Sequence, residues 1–296
     1  MKVSVVIASG AGGDFLYRCL DSLKEQTQAA NVEVIVVDRC GAYTRCRLRT
    51  EYPFVMVIPT RMEPRPSVPE LRTIGVEQAR GDIVAIIEEH CIASPDWIET
   101  IHNSFQESDA AIGGPILDNQ YTSPKDWVVY FSEYHNYLPP WSAGERYLLN
   151  GENIAYNRQK LLKYQLSLST GFWEVVVHPL LVLDGKFRAV PKMIVRRTGP
   201  SNYLYYLKQR CLLSRAWGGT QREKVRPIKR LAYLVLAPVI PLLLLFRITH
   251  RVWQKRLLTS RYITALPFLV PVVCIYVLGE WLGYLLGVGT ALQWVE

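Results

Sequence analysis

The sequence predicts an α/β domain built on a mostly parallel sheet with helices on both faces, followed by C-terminal membrane helices. Three observations carry that expectation. Short β-branched runs alternate with helical stretches over the first hundred residues, the pattern of βαβ units. Two long apolar segments occupy the last third of the chain. The charge is split to match. Residues 1–195 hold 19 Lys/Arg against 23 Asp/Glu, a net of −4, and residues 196–296 hold 15 Lys/Arg against Glu223, Glu280 and Glu296, a net of +12, which together give the +8 of the whole chain.

Residues 3–8 form a β-branched run and read as the first strand. Within residues 15–26, Phe15, Leu16, Cys19, Leu20 and Leu23 recur at helical spacing, with Asp14 placed as an N-cap. Residues 32–38 (VEVIVVD) read as a second strand, and residues 53–59 contain a third. Residues 68–80 read as a helix stopped by Gly81, residues 83–87 as a fourth strand, and residues 95–105 as a helix opened by Ser94 or Pro95. Sheets of this kind bind ligands beyond the carboxyl ends of their strands. Polar residues just after Ala8, Val37 and Ile87 are therefore the first candidates for a site.

Residues 201–217 mix Tyr203, Leu204, Tyr206 and Leu207 with Lys208, Arg210 and Arg215. That composition suits a helix lying in a membrane interface, with an ordinary amphipathic helix packed on the domain as the alternative. Residues 231–246 carry no charge but contain Pro238 and Pro241. As a straight helix they would reach about 24 Å, short of the roughly 30 Å hydrocarbon core. Both flanks are basic, so a crossing would put one cluster on the wrong side of the membrane. A proline-broken hairpin that enters and leaves on the cytoplasmic face removes the conflict. Residues 265–292 are interrupted only by Glu280 and are long enough to span. The expected organisation is an α/β domain at 1–200, an interfacial segment at 201–230, and a membrane module at 231–296, in which 231–246 re-enters or spans and 265–292 spans. The domain would face the cytoplasm at the cell membrane.

Composition excludes several classes. With 49% hydrophobic residues the chain has ample core-forming material and is not disordered. Its six scattered cysteines show no C-x-x-C pair, which argues against a zinc site or a disulfide scaffold and fits a reducing compartment. The basic residues interleave with apolar runs, so anionic lipid headgroups suit them better than nucleic acid. Met1-Lys2 run straight into the first strand, which is too short for the apolar region of a signal peptide.

The most informative stretch is RGDIVAIIEEHCIASPDWI, residues 80–98. An apolar strand delivers Glu88, Glu89 and His90 in succession, and burying three such groups without a ligand would be expensive. Two carboxylates and an imidazole suit a divalent cation of the Mg²⁺/Mn²⁺ type; a solvated strand end is the alternative.

VSVVIA, VEVIVVD, ELRTIGVEQARGDIVAIIEEH and SPDWI together resemble the family-2 glycosyltransferases of GT-A fold, over residues 1 to about 217. In that family the central segment reads A-R-N-x-G-x-x-x-A-x-G-D-I-I-x-F-L-D-x-D and is followed by P-D-x-L. Leu71-Arg72-Thr73, Gly75, residues 79–82 and Pro95-Asp96 fall in register, and Glu88-Glu89-His90 falls on the D-x-D, with neither outer aspartate present. The resemblance implies a nucleotide-sugar-binding domain in which Ala8, Asp38, Arg72, Glu88 and Glu89 contact the donor and His90 ligates a divalent cation, Mn or Mg. It also implies that Glu174, in the Phe172-Trp173-Glu174 landmark, is the general base of an inverting transfer, taking the proton of the attacking acceptor. Trp173 replaces the first acid of the family's pair. Asn153, within NGEN, and Trp173, Arg215 and Trp217 are the acceptor-side candidates. Gln209, Arg215 and Trp217 miss the Q-x-x-R-W spacing of processive synthases.

The expected partners are therefore a nucleotide sugar and a lipid-linked, polyprenyl-type acceptor. An acceptor held at the headgroup plane explains why a third of the chain is basic or apolar helix. Two other classes compete: a membrane scaffold with a degenerate transferase domain, and a dinucleotide-binding oxidoreductase suggested by Gly10-Ala11-Gly12-Gly13. The latter fails at Phe15, where the G-x-G-x-x-G spacing requires glycine.

Overall fold

The computed structural model describes residues 1–28, 32–61, 63–118, 121–164, 173–198, 202–222 and 224–295. In chain order the first elements are β1 (Val3–Ser9), α1 (Gly13–Gln28), β2 (Val32–Asp38), α2 (Ala42–Glu51), β3 (Val55–Pro59), α3 (Val68–Gln78) and β4 (Ile83–Ile87). Then come β5 (Cys91–Ala93), α4 (Trp97–Ser104), β6 (Asp109–Gly113), β7 (Ile116–Asp118), α5 (Pro124–Tyr134), β8 (Gly144–Glu145), β9 (Asn153–Asn157) and α6 (Arg158–Leu162). The rest are α7 (Trp173–Leu181), β10 (Lys186–Ala189), β11 (Val195–Arg197), α8 (Tyr203–Gln221), α9 (Pro227–Leu236), α10 (Ile240–Lys255), α11 (Thr259–Leu286) and α12 (Ala291–Trp294).

Eight strands form one mixed sheet in the order β3-β2-β1-β4-β9-β6-β10-β8. β1 pairs in parallel with β2 on one side and β4 on the other, and β9 enters antiparallel between β4 and β6. β1 and β4 are buried along their whole length, which is why both read as continuous apolar runs without alternation. α3 lies hard against β1: a Cβ at Gly75 would come within 2.3 Å of Val6 Cγ1. Its start is fixed by a capping box, with Ser67 accepting from the Glu70 amide while the Glu70 carboxylate accepts from the Ser67 amide.

The expected mixed α/β class with a mostly parallel central sheet is what the structure shows. Several boundaries differ. Asp14 sits in the first turn of α1 and so is not its N-cap. α3 ends at Gln78, ahead of Arg80, and α4 begins at Trp97, two residues after Pro95.

The chain divides into two compact units, residues 1–117 with 141–198, and residues 118–140 with 199–296. The expected contiguous domain at 1–200 is therefore interrupted. The reason is α5, whose Phe131 ring meets Tyr262 of α11 edge-on at 5.2 Å and whose Glu133 accepts from Tyr206 Oη at 2.8 Å and pairs with Arg210 at 3.2 Å. Within the same unit α8 and α11 touch backbone to backbone. A Cβ at Gly218 would lie 2.2 Å from the Glu280 carbonyl oxygen, and one at Gly283 would lie 2.2 Å from that of Arg215.

One helix among the described residues, Thr259–Leu286, is long and apolar enough to cross a membrane, with mean hydropathy 2.1. It begins six residues earlier than expected and ends at Leu286. The segment expected at 231–246 is split between α9 and α10, which bend by 78° at the break that holds Pro238. Pro241 lies just inside α10, and neither ring can donate the backbone hydrogen bond that a continuous helix requires.

Candidate active site

Ala8, Asp38 and Glu88 lie at the carboxyl ends of β1, β2 and β4, and Asn153 opens β9, which runs the other way. Arg72, on the buried face of α3, joins two acids. Its Nη1 donates to Glu174 Oε1 at 2.7 Å, and its Nη2 lies 3.6 Å from Glu88 Oε1. Glu88 is the residue after β4, and Glu174 stands in the first turn of α7. One guanidinium thus holds the residue expected to act as base and the residue expected to face the donor. Burial raises the Glu174 carboxyl, but the charge of Arg72, then that of His178, together with the hydrogen bonds it accepts, outweigh this in sum and leave it below the ordinary glutamate range.

Glycine at 151 makes room for this arrangement. A Cβ there would stand 1.5 Å from Glu174 Oε1, so any side chain must push the carboxylate aside. The carboxylate is the free end of a flexible side chain. We therefore expect Gly151→Ala to leave the melting temperature nearly unchanged while cutting turnover about tenfold, because small misplacements of a reacting group are costly. Thermal unfolding and steady-state rates on one preparation check this.

Glu89 is placed differently. Its buried carboxylate accepts from the Gly10 amide at 3.0 Å, the Ala11 amide at 2.7 Å and the Gly12 amide at 2.9 Å. Burial pushes its carboxyl up to about 7, against the pull of those three amides. Where a donor contact was expected, both oxygens of this carboxylate are engaged by the loop after β1. His90 packs its ring on Phe15, with centroids 4.5 Å apart. Burial, and then the charge of Arg197, holds its imidazole well below the usual range. Its carbonyl accepts from both the amide and the hydroxyl of Thr198.

The triplet does not fit a protein-held Mn²⁺ or Mg²⁺. Glu88 is turned to Arg72, Glu89 to the loop amides and His90 to Phe15, and among the described residues no three His, Cys, Asp or Glu side chains gather as a cation would require.

Asp38, expected at the donor base, is fully buried. Its Oδ1 accepts from the Cys40 amide at 3.0 Å, its Oδ2 accepts from the Gly41 amide at 3.3 Å, and Arg45 lies 3.6 Å away. It shapes the turn into α2, as aspartates after strands often do. Ala8 is a buried strand residue opposite Val37. Asn153, expected on the acceptor side, is a buried staple: it accepts from Trp97 Nε1 at 2.8 Å and donates to the Pro115 and Met193 carbonyls at 3.1 and 2.7 Å. The Trp173 side chain lies outside what the structure describes. Arg215 and Trp217 belong to the other unit, where Arg215 Nε donates to the Gly287 carbonyl at 3.4 Å and Trp217 bonds Glu280. Arg39 went unread in the sequence, and Gly151 entered only as part of the NGEN block. Arg39 follows Asp38 and donates through Nε to the Gly10 carbonyl at 3.3 Å and through Nη1 to the Pro66 carbonyl at 2.6 Å. A cation immediately after a strand-ending aspartate was the one available signal for it.

Comparison with known proteins agrees with the fold. A mannosyltransferase from Pyrobaculum calidifontis, solved in complex with GDP-Man and Mn²⁺, superposes with a TM-score of 0.56 over 96% of this chain and 87% of its own, at 14% identity. Sequence relatives include polypeptide N-acetylgalactosaminyltransferase 3 of Drosophila melanogaster, 32% identical over 91 residues (29% of this chain and 14% of the relative). Another is the glucosyl-dolichyl phosphate glucuronosyltransferase of Haloferax volcanii, 36% identical over 75 residues (25% of this chain and 22% of the relative). The matches thus span less than a quarter of either relative's length. The profile of Glycosyl transferase family 2 matches residues 4–167, more than half of the chain, and with the sheet order and the acids at its strand ends this makes the protein a member of that family.

Proposed function

We propose that this chain is a membrane-associated inverting glycosyltransferase that moves a sugar from a nucleotide sugar to a lipid-linked, polyprenyl-type acceptor at the cytoplasmic face of the cell membrane. The observation that carries the reading is the Arg72 bridge between Glu88 and Glu174, at the strand ends where such sheets take ligands. Glu174 takes the proton from an acceptor hydroxyl as the oxygen attacks the anomeric carbon. The bond from that carbon to the phosphate oxygen breaks, its electron pair leaves on the nucleoside diphosphate, and the developing charge faces Arg72. A single carboxylate at the acceptor side separates this chemistry from glycoside hydrolysis, which typically uses two.

The lipid acceptor is supported by the second unit. Its spanning-length helix Thr259–Leu286, the exposed apolar residues Leu231, Val235, Leu242 and Phe246 on α9 and α10, and the +12 charge of residues 196–296 suit an anionic leaflet. The test uses the full chain in sealed vesicles. A panel of nucleotide sugars is offered with a polyprenyl-phosphate-linked acceptor and with a water-soluble glycoside, and protease is added from outside. Transfer to the lipid acceptor at least tenfold above the soluble one, with residues 1–198 protected in right-side-out vesicles, is the expected result. Equal use of both acceptors overturns the lipid reading, and digestion overturns the topology.

A further inference from the structure

The loop after β1 is held from both sides. The amides of Gly10, Ala11 and Gly12 converge on Glu89. The Gly10 carbonyl accepts from Arg39 Nε at 3.3 Å and Arg65 Nη2 at 3.4 Å. Arg39 and Glu89 arrive from the ends of β2 and β4, the two neighbours of β1 in the sheet, so both flanking strands reach over the same loop. The backbone accepts this geometry only as glycine at two positions. Gly12 and Gly13 have φ of +66° and +65°, and a Cβ on Gly12 would also stand 2.9 Å from Cys40 Sγ.

Successive amides turned inward in this way form a concave anion site, and here the anion is a carboxylate of the chain itself. Burying it costs free energy that three charge-assisted hydrogen bonds offset in part. A loop with three glycines left unsupported would be ordered only when a ligand bound, at roughly 1–2 kcal/mol per residue fixed. An internal anion orders it beforehand.

We infer that Glu89 is a positioning residue that holds the Gly10–Gly12 loop in its donor-binding form, and that it sets donor affinity without touching donor or acceptor. The inference rests on the nucleotide-sugar reading above. Glu89→Gln keeps the shape of the side chain but turns an N–H₂ group towards one of the three amides; Glu89→Asp keeps the charge on a shorter arm.

The experiment compares wild type, Glu89→Gln and Glu89→Asp as full-length protein, by calorimetric titration with UDP and GDP, steady-state kinetics, and hydrogen exchange at residues 10–12. In Glu89→Gln, exchange at these amides should quicken at least tenfold and donor Kd and KM should rise about tenfold. Acceptor KM and kcat at saturating donor should stay within about twofold, and Glu89→Asp should fall between. Unchanged exchange, or donor and acceptor KM rising together, overturns the inference. Wild-type protein that binds neither UDP nor GDP sinks the donor reading itself, and the exchange measurement still decides separately whether Glu89 holds the loop.

Discussion

Glu174→Gln should cut sugar transfer by about 10²–10⁴-fold, the range usual for loss of a positioned general base, while nucleotide-sugar binding persists. Glutamine has nearly the same shape, keeps an oxygen for the 2.7 Å bond from Arg72 Nη1, and cannot take a proton. The loss should therefore appear in kcat at saturating donor and acceptor, with donor Kd by calorimetry within about threefold of wild type. Undiminished turnover would show that Glu174 is a partner of Arg72 and nothing more.

The second large effect is expected from Arg72→Gln, at about a hundredfold in kcat/KM, the scale of losing one group that stabilises developing charge. It should come with a displaced pH profile. In the wild type Arg72, with smaller help from His178 and a backbone amide, keeps Glu174 below the ordinary glutamate range against the opposing and larger single effect of burial. Catalysis needs the ionised carboxylate, so activity is lost as pH falls through its pKa, and in wild type that loss comes at low pH. With the cation gone, burial still raises the pKa and Glu88 remains nearby. The acidic limb of kcat/KM should therefore move to higher pH. A limb that stays in place would separate Arg72 from the base and leave it a donor-side role only.

How far the sequence could be read depended on range. The strands at residues 32–38 and 83–87 were legible to the residue because each is a β-branched run, buried throughout at 83–87 and from Val34 onward at 32–38. α2, with sequence AYTRCRLRTE, was not, because it buries only Thr44 and Leu48 and presents no stripe to detect. The three-residue strands β5, β7 and β11 pair only with one another, and runs so short carry no periodicity. Motif register brought Arg72, Glu88 and Glu174 onto one list. The contacts that give them their roles join residues 102 apart for Arg72 and Glu174 and 77 to 79 apart for Glu89 and its amides, and no local pattern encodes a pairing at that distance. Asp38, Asn153 and Glu89 show the same limit from the other side. A polar residue at a strand end reads alike whether it faces a ligand or holds a turn, and here all three hold the backbone.

The excursion of residues 118–140 into the second unit means that the chain passes between the units three times, near residues 117, 140 and 198. A cut at the last of these does not release a finished catalytic piece. It would strip α5 of α8 and α11 and expose Trp127, Tyr130, Phe131 and Tyr134, all buried in the intact chain, each representing about 1.5–3 kcal/mol of apolar burial. The two halves of this gene are stitched rather than appended. A lineage could not shed the helical part by a single stop codon and keep a soluble enzyme, nor trade it for another by one crossover.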